Sequence, residues 1–118
     1  MIRFHDGPAA GTFLLLRRAP LFLRAVENML SGEWNALDQP GDRPSPAEHV
    51  VLYRRHGPPG VAWICDGGRG GRWGRQAISA EYRLVDPQPP DDLLRDQARY
   101  EQWCQATYQS ELTQEPSP

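Results

Sequence analysis

Arg69, Arg72 and Arg75 recur at every third position of a glycine-rich run, with Trp73 among them. An arginine fork grips phosphate oxygens and an indole face stacks on a base, so this set is equipped to hold nucleic acid. Glycine backbone lets such a ligand come close. The stretch Asp66 to Arg75 has five glycines and three arginines in ten residues, a composition that does not pack a core. It reads as an exposed loop, and loops on a rigid scaffold are where binding residues concentrate. A hairpin loop whose arginines are merely solvated would show the same composition. No Gly-Lys-Ser/Thr follows, which excludes a Walker loop, and the next element reads as a strand rather than the helix of a dinucleotide fingerprint.

Other chemistry has the residue types without the spacing. His5, His49 and His56, with Cys65 and Asp66, could in principle form a nucleophilic site, but no recognisable spacing joins them. His5 beside Asp6 reads as a turn-edge residue. There is no Cys-x-x-Cys, no His-x-x-x-His and no calcium-loop pattern, so neither a metal nor another cofactor is expected. The chain is expected not to be an enzyme, with a small Cys/His-dependent enzyme as the least favoured alternative.

The elements that must position the loop lie between Glu48 and Val85. Ile78, Ala80, Tyr82 and Leu84 alternate with Ser79, Glu81 and Arg83, the period of a half-buried strand. His49 to Tyr53 is a denser run of strand formers, suited to burial on both faces. His56-Gly57-Pro58-Pro59-Gly60 predicts a break at Arg54-Arg55 and a hairpin whose second arm is Val61 to Cys65. Near the start, Ile2 to His5 and Thr12 to Leu16 flank Asp6-Gly7-Pro8-Ala9-Ala10-Gly11, which predicts another hairpin. Leu21 to Val26 is ambiguous between strand and short helix, with strand favoured. Glu27 to Ala47 reads as a long connection anchored by Trp34 and Leu37, and its length is unusual for a compact domain. Asp86-Pro87-Gln88-Pro89-Pro90 ends the last strand and Asp91-Asp92 opens a helix, the acids matching its dipole. Leu93, Gln97, Tyr100, Cys104 and Thr107 share one helical face, flanked by Trp103 and Tyr108.

The predicted fold is α+β, a curved and mainly antiparallel sheet of five or six short strands with one C-terminal helix. A small, partly open barrel satisfies the same pattern. Residues 1–110 form a single domain and 111–118 a flexible tail. At 118 residues the chain can bury a core, and its 11 glycines and 12 prolines favour short strands and many turns. The net charge is −2, divided unevenly. Residues 1–83 carry eleven arginines against eight acids, and residues 84–118 carry two against seven. Such a division reads as two solvated faces, an internal match or a partner surface. Every basic side chain is arginine, as a GC-rich genome would produce. Cys65 and Cys104 are expected to be reduced and buried, with no secretory signal visible, and no run is long enough to cross a bilayer.

Phe4 to Gly11, Val51 to Arg55, Tyr82 to Leu84, Pro90 to Asp96 and Trp103-Cys104 together carry a resemblance. The chain resembles small accessory proteins of bacteriophages and prophages of GC-rich bacteria, in which a hairpin around an Asp-Gly-Pro-x-x-Gly turn precedes a few strands and a short helix. The likeness covers most of residues 1–108 and implies no catalytic or ligand residues. It implies an accessory protein of a phage or mobile element, acting in the cytoplasm of a bacterial host. With no assembled chemistry, the expected mode is protein–protein contact, either as an anti-defence inhibitor of a host nucleoprotein such as a CRISPR effector or as a minor virion component. The alternative is nucleic-acid binding through Arg69, Arg72, Trp73 and Arg75. No membrane partner is expected.

Overall fold

A computed structural model describes residues 1–37, 42–65 and 74–114, without the side chains of 63–65, 74–75 and 112–114. Its strands are β1 (Ile2–Phe4), β2 (Phe13–Leu14), β3 (Phe22–Asn28), β4 (Trp34–Leu37), β5 (Glu48–Cys65) and β6 (Gly74–Leu84). Two helices follow, α1 (Asp91–Arg95) and α2 (Gln97–Gln114). The strands make one sheet in the order β2-β1-β6-β5-β3-β4. Every pairing is antiparallel except β1 with β6. The α+β class and the curved, mainly antiparallel sheet are as the sequence predicts.

Alternation along the central strands builds two cores. Leu23 and Ala25 of β3, Val51 and Tyr53 of β5, and Ala80 and Tyr82 of β6 face one side with Ile2 and Phe4. Leu14 of β2 and Trp34 and Ala36 of β4 join that same cluster. The two edge strands therefore share one interior, which requires the sheet to curl. The opposite face carries Phe22, Val26, Val50 and Leu52, and Leu94 and Tyr100 of the helices cover it. Val50 to Tyr53 is thus buried on both faces, as the density of strand formers predicts, while His49 at the head of the run is exposed.

Three local expectations are corrected. The first concerns His56 to Gly60, which does not reverse the chain. β5 runs straight through it, and the pairing steps from His56 opposite Glu81 to Gly60 opposite Ser79. Gly57, Pro58 and Pro59 therefore bulge opposite Ala80 alone, and surplus residues in a bulge need no ladder donor, so the prolines are tolerated there. The second concerns Glu27 to Ala47, which is not one long connection. β4 pairs with β3 through Glu27 opposite Trp34 to Arg24 opposite Leu37, and Gly32 at φ +73° makes the turn. The third concerns the helix, which is broken at Asp96, where the backbone is extended. Asp96 Oδ1 accepts the N–H groups of Ala98 and Arg99 at 3.1 and 3.2 Å and so caps α2. Past Ser110 the chain stays helical to Gln114, and Glu111 pairs with Arg54.

Candidate functional site

The ladder between β5 and β6 outruns the rest of the sheet. β3 accompanies β5 only through Glu48 to Arg54, and β1 accompanies β6 only through Ala80 to Tyr82. From Gly60 opposite Ser79 to Cys65 opposite Gly74 the two strands pair with each other and with no further strand among the described residues. Five steps of roughly 3.4 Å between its six residues make an arm about 17 Å long. Val61, near its root, is 68% exposed. Each arm strand leaves one edge of backbone donors and acceptors without a strand partner, the feature to which other chains add as a further strand.

Residues 66–73 join the ends of this arm. Arg69, Arg72 and Trp73 lie in that stretch, outside the described residues. Arg75 is on β6 with its backbone opposite Ile64, and its side chain is likewise outside the description, as is the Cys65 side chain.

At the root of the arm a cleft of about 770 Å³ is lined by Arg54, Arg55, His56, Arg83 and Trp103 among others. Its arginines are not equally available. Arg54 makes a two-pronged pair with Glu111, one contact being 2.6 Å. Arg55 donates to the carbonyl of Gly57 at 3.0 Å and to that of Ala19, which ties the bulge to the body. Arg83 is exposed. His5 lies 3.1 Å from Glu81 on the exposed face of β6, a surface contact rather than a base aimed at a nucleophile.

A further residue is one whose importance its sequence context conceals. Arg24 interrupts the apolar run of β3, points to the helix side of the sheet with Phe22 and Val26, and is only 3% exposed. Its Nη1 donates to the Leu94 carbonyl at 2.9 Å and its Nη2 to Gln97 Oε1. Its guanidinium carbon sits 4.2 Å from the centre of the Tyr100 ring. The signal was present in the sequence, since period-two alternation puts Arg24 between two residues that face a core. Nearby, burial pushes the Cys104 thiol above its usual value, the reverse of an activated nucleophile. Among the described residues no group of three or more His, Cys, Asp or Glu could hold a metal ion, and no helix is long and apolar enough to cross a membrane.

Comparison with protein-family models, with curated proteins and with solved structures finds no match.

Proposed function

We propose that the protein is a non-enzymatic binding module that engages a partner protein through the β5–β6 arm. The observation that carries this reading is the arm itself: a two-stranded ladder that past Ile78 extends beyond both cores, with backbone edges that no further strand covers among the described residues and with exposed Val61. A ladder that adds little to the fold's own packing is suited to contact. In the setting that the resemblance implies, the module is a phage or prophage accessory protein acting in a bacterial cytoplasm. Its partner is then a host protein, such as a component of a defence nucleoprotein, or a virion protein. The resting state of Arg54 and Arg55, held by Glu111 and by carbonyls, weighs against a ready-made phosphate track at the arm's root.

The test is to replace residues 62–77 with Asn-Gly, which leaves Val61 and Ile78 flanking a two-residue turn of the hand that antiparallel strands favour. The trimmed protein should keep its unfolding midpoint, because both cores are intact, and should lose a specific host or virion partner that the full chain retains. Equal recovery of that partner by both forms would refute the reading. Salt-sensitive binding of single-stranded DNA or RNA, abolished when Arg69, Arg72 and Arg75 become alanine, would replace it with the nucleic-acid alternative.

A further inference from the structure

A second cleft, of about 600 Å³, lies between β3 and α2, and no described residue of the arm lines it. Its volume falls within the range of roughly 300–1,000 Å³ typical of small-molecule sites. Leu21, Phe22, Leu37 and Tyr108 give it apolar walls, and Arg24 lines it as well.

Arg24 is what makes this cleft more than a packing gap. A buried guanidinium ordinarily rests against a carboxylate, because desolvating a cation is costly without a counter-charge. Among the described residues, the groups that Arg24 hydrogen-bonds and stacks on are neutral: a carbonyl, a side-chain amide and a phenol ring. Glu101 and Asp42 act on it only through space. Its Nε is buried with no hydrogen-bond partner among the described residues. An arginine has five N–H donors, and the two hydrogen bonds to Leu94 and Gln97 use two of them.

The geometry points to this cleft as the binding site of a small monocarboxylate with an apolar body. The carboxylate pairs with Arg24, a match of planar fork to planar acceptor. The hydrocarbon part lies against Leu21, Phe22 and Leu37. A single negative charge fits better than a dianion such as a phosphate ester, because Glu101 also lines the cleft. Glu101 Oε1 accepts from Gln97 Nε2 at 2.7 Å, and Gln97 in turn accepts from Arg24. The acid is therefore linked to the arginine through one amide, and Glu101 works against the incoming anion. Arg18, which also lines the cleft, has a partner of its own.

Calorimetry with decanoate and with decanamide separates charge recognition from greasiness. Decanoate should bind at least about thirtyfold more tightly than the amide, and Arg24→Met should remove that preference. Glu101→Gln should tighten decanoate binding about threefold by deleting a like charge. Cys104 lines the cleft and is half-buried, so in a Cys65→Ser background bound decanoate should slow its alkylation. Equal affinity for acid and amide, absence of decanoate binding, or binding that leaves Cys104 unprotected would each overturn the assignment. If Arg24→Met does not fold, the acid–amide comparison and Glu101→Gln decide the matter on a chain that keeps its arginine.

Discussion

Gln88 acts towards Leu52 as a neighbouring strand would. Its Oε1 accepts the Leu52 N–H at 2.8 Å, and its Nε2 donates to the Leu52 carbonyl at 2.8 Å and to that of Val85 at 2.6 Å. β6 has ended at Leu84, opposite Tyr53, and although the Leu52 carbonyl also accepts the Val85 N–H at 3.1 Å, without this amide the N–H of a fully buried residue would lack a partner on that side. Gln88→Leu keeps the bulk and removes the donors and acceptor. Urea unfolding should show a loss of about 2 kcal/mol, the scale of orphaned buried polar groups. A change below about 0.5 kcal/mol would mean that water replaces the amide freely.

Tyr53 plays the matching part on the other face. Its hydroxyl accepts the Ala9 N–H at 2.9 Å and donates to the Asp6 carbonyl at 2.9 Å, which fixes the β1–β2 turn to the core. Tyr53→Phe should destabilise by about 1–3 kcal/mol. Gly7→Ala should do at least as much. Gly7 has φ +70°, and a Cβ there would lie 2.8 Å from the Tyr53 hydroxyl oxygen. If the alanine variant unfolds at the same denaturant concentration as the parent, the turn is not held in this way.

Alkaline stability follows from three buried phenols. Burial is the largest cause raising the pKa values of Tyr53, Tyr82 and Tyr100 above the ordinary 10.0. The unfolded chain therefore releases these protons first. Their contribution is complete below about pH 10 and is lost as pH climbs from there, at about 1.4 kcal/mol per pH unit for each tyrosine. The Cys104 thiol, also raised by burial from 9.0, begins the decline about one unit earlier. Unfolding free energies measured between about pH 8 and 11 should fall ever more steeply. A level profile would show that the phenols ionise without leaving their sites.

The Arg54–Glu111 pair should matter locally more than globally. Its side chains are 43% and 32% exposed, so water and salt screen it. Glu111→Gln should cost no more than about 1 kcal/mol, and less at high salt. Its clearer signature should be faster amide exchange in the last turn of α2, which the pair ties to β5. Unchanged exchange there would show that Phe22 and Trp103, packed edge to face at 5.1 Å, hold the helix unaided.

What the sequence revealed and concealed has physical causes. The alternation from Ile78 to Leu84 and the double-faced run from Val50 to Tyr53 were legible, because burial by a sheet writes a period into the chain. β4 was not, since Trp34 to Leu37 is too short and mixed to show any period, and only its pairing with β3 defines it. Pro58 and Pro59 read as a strand end because local rules cannot see a bulge that excuses them from the ladder. Asp96 read as one more polar residue on a helix, although an aspartate before Gln97-Ala98-Arg99 has the chemistry of a cap. The glycine–arginine stretch was correctly placed between strands, but the strands form one long arm rather than the second half of a meander. Arg24 was visible only as an imperfection in a hydrophobic run.

The parallel seam between β1 and β6 sets the order in which this chain can assemble. Ile2, Arg3 and Phe4 meet Ala80, Glu81 and Tyr82, partners that lie 78 residues further along the chain and that a ribosome delivers much later. Until then Ile2 and Phe4 lack the β6 side of their core, and such late closure between distant segments makes folding slow. A nascent chain stalled before Tyr82 should therefore remain open to proteases and chaperones, however well the middle of its sheet is already paired.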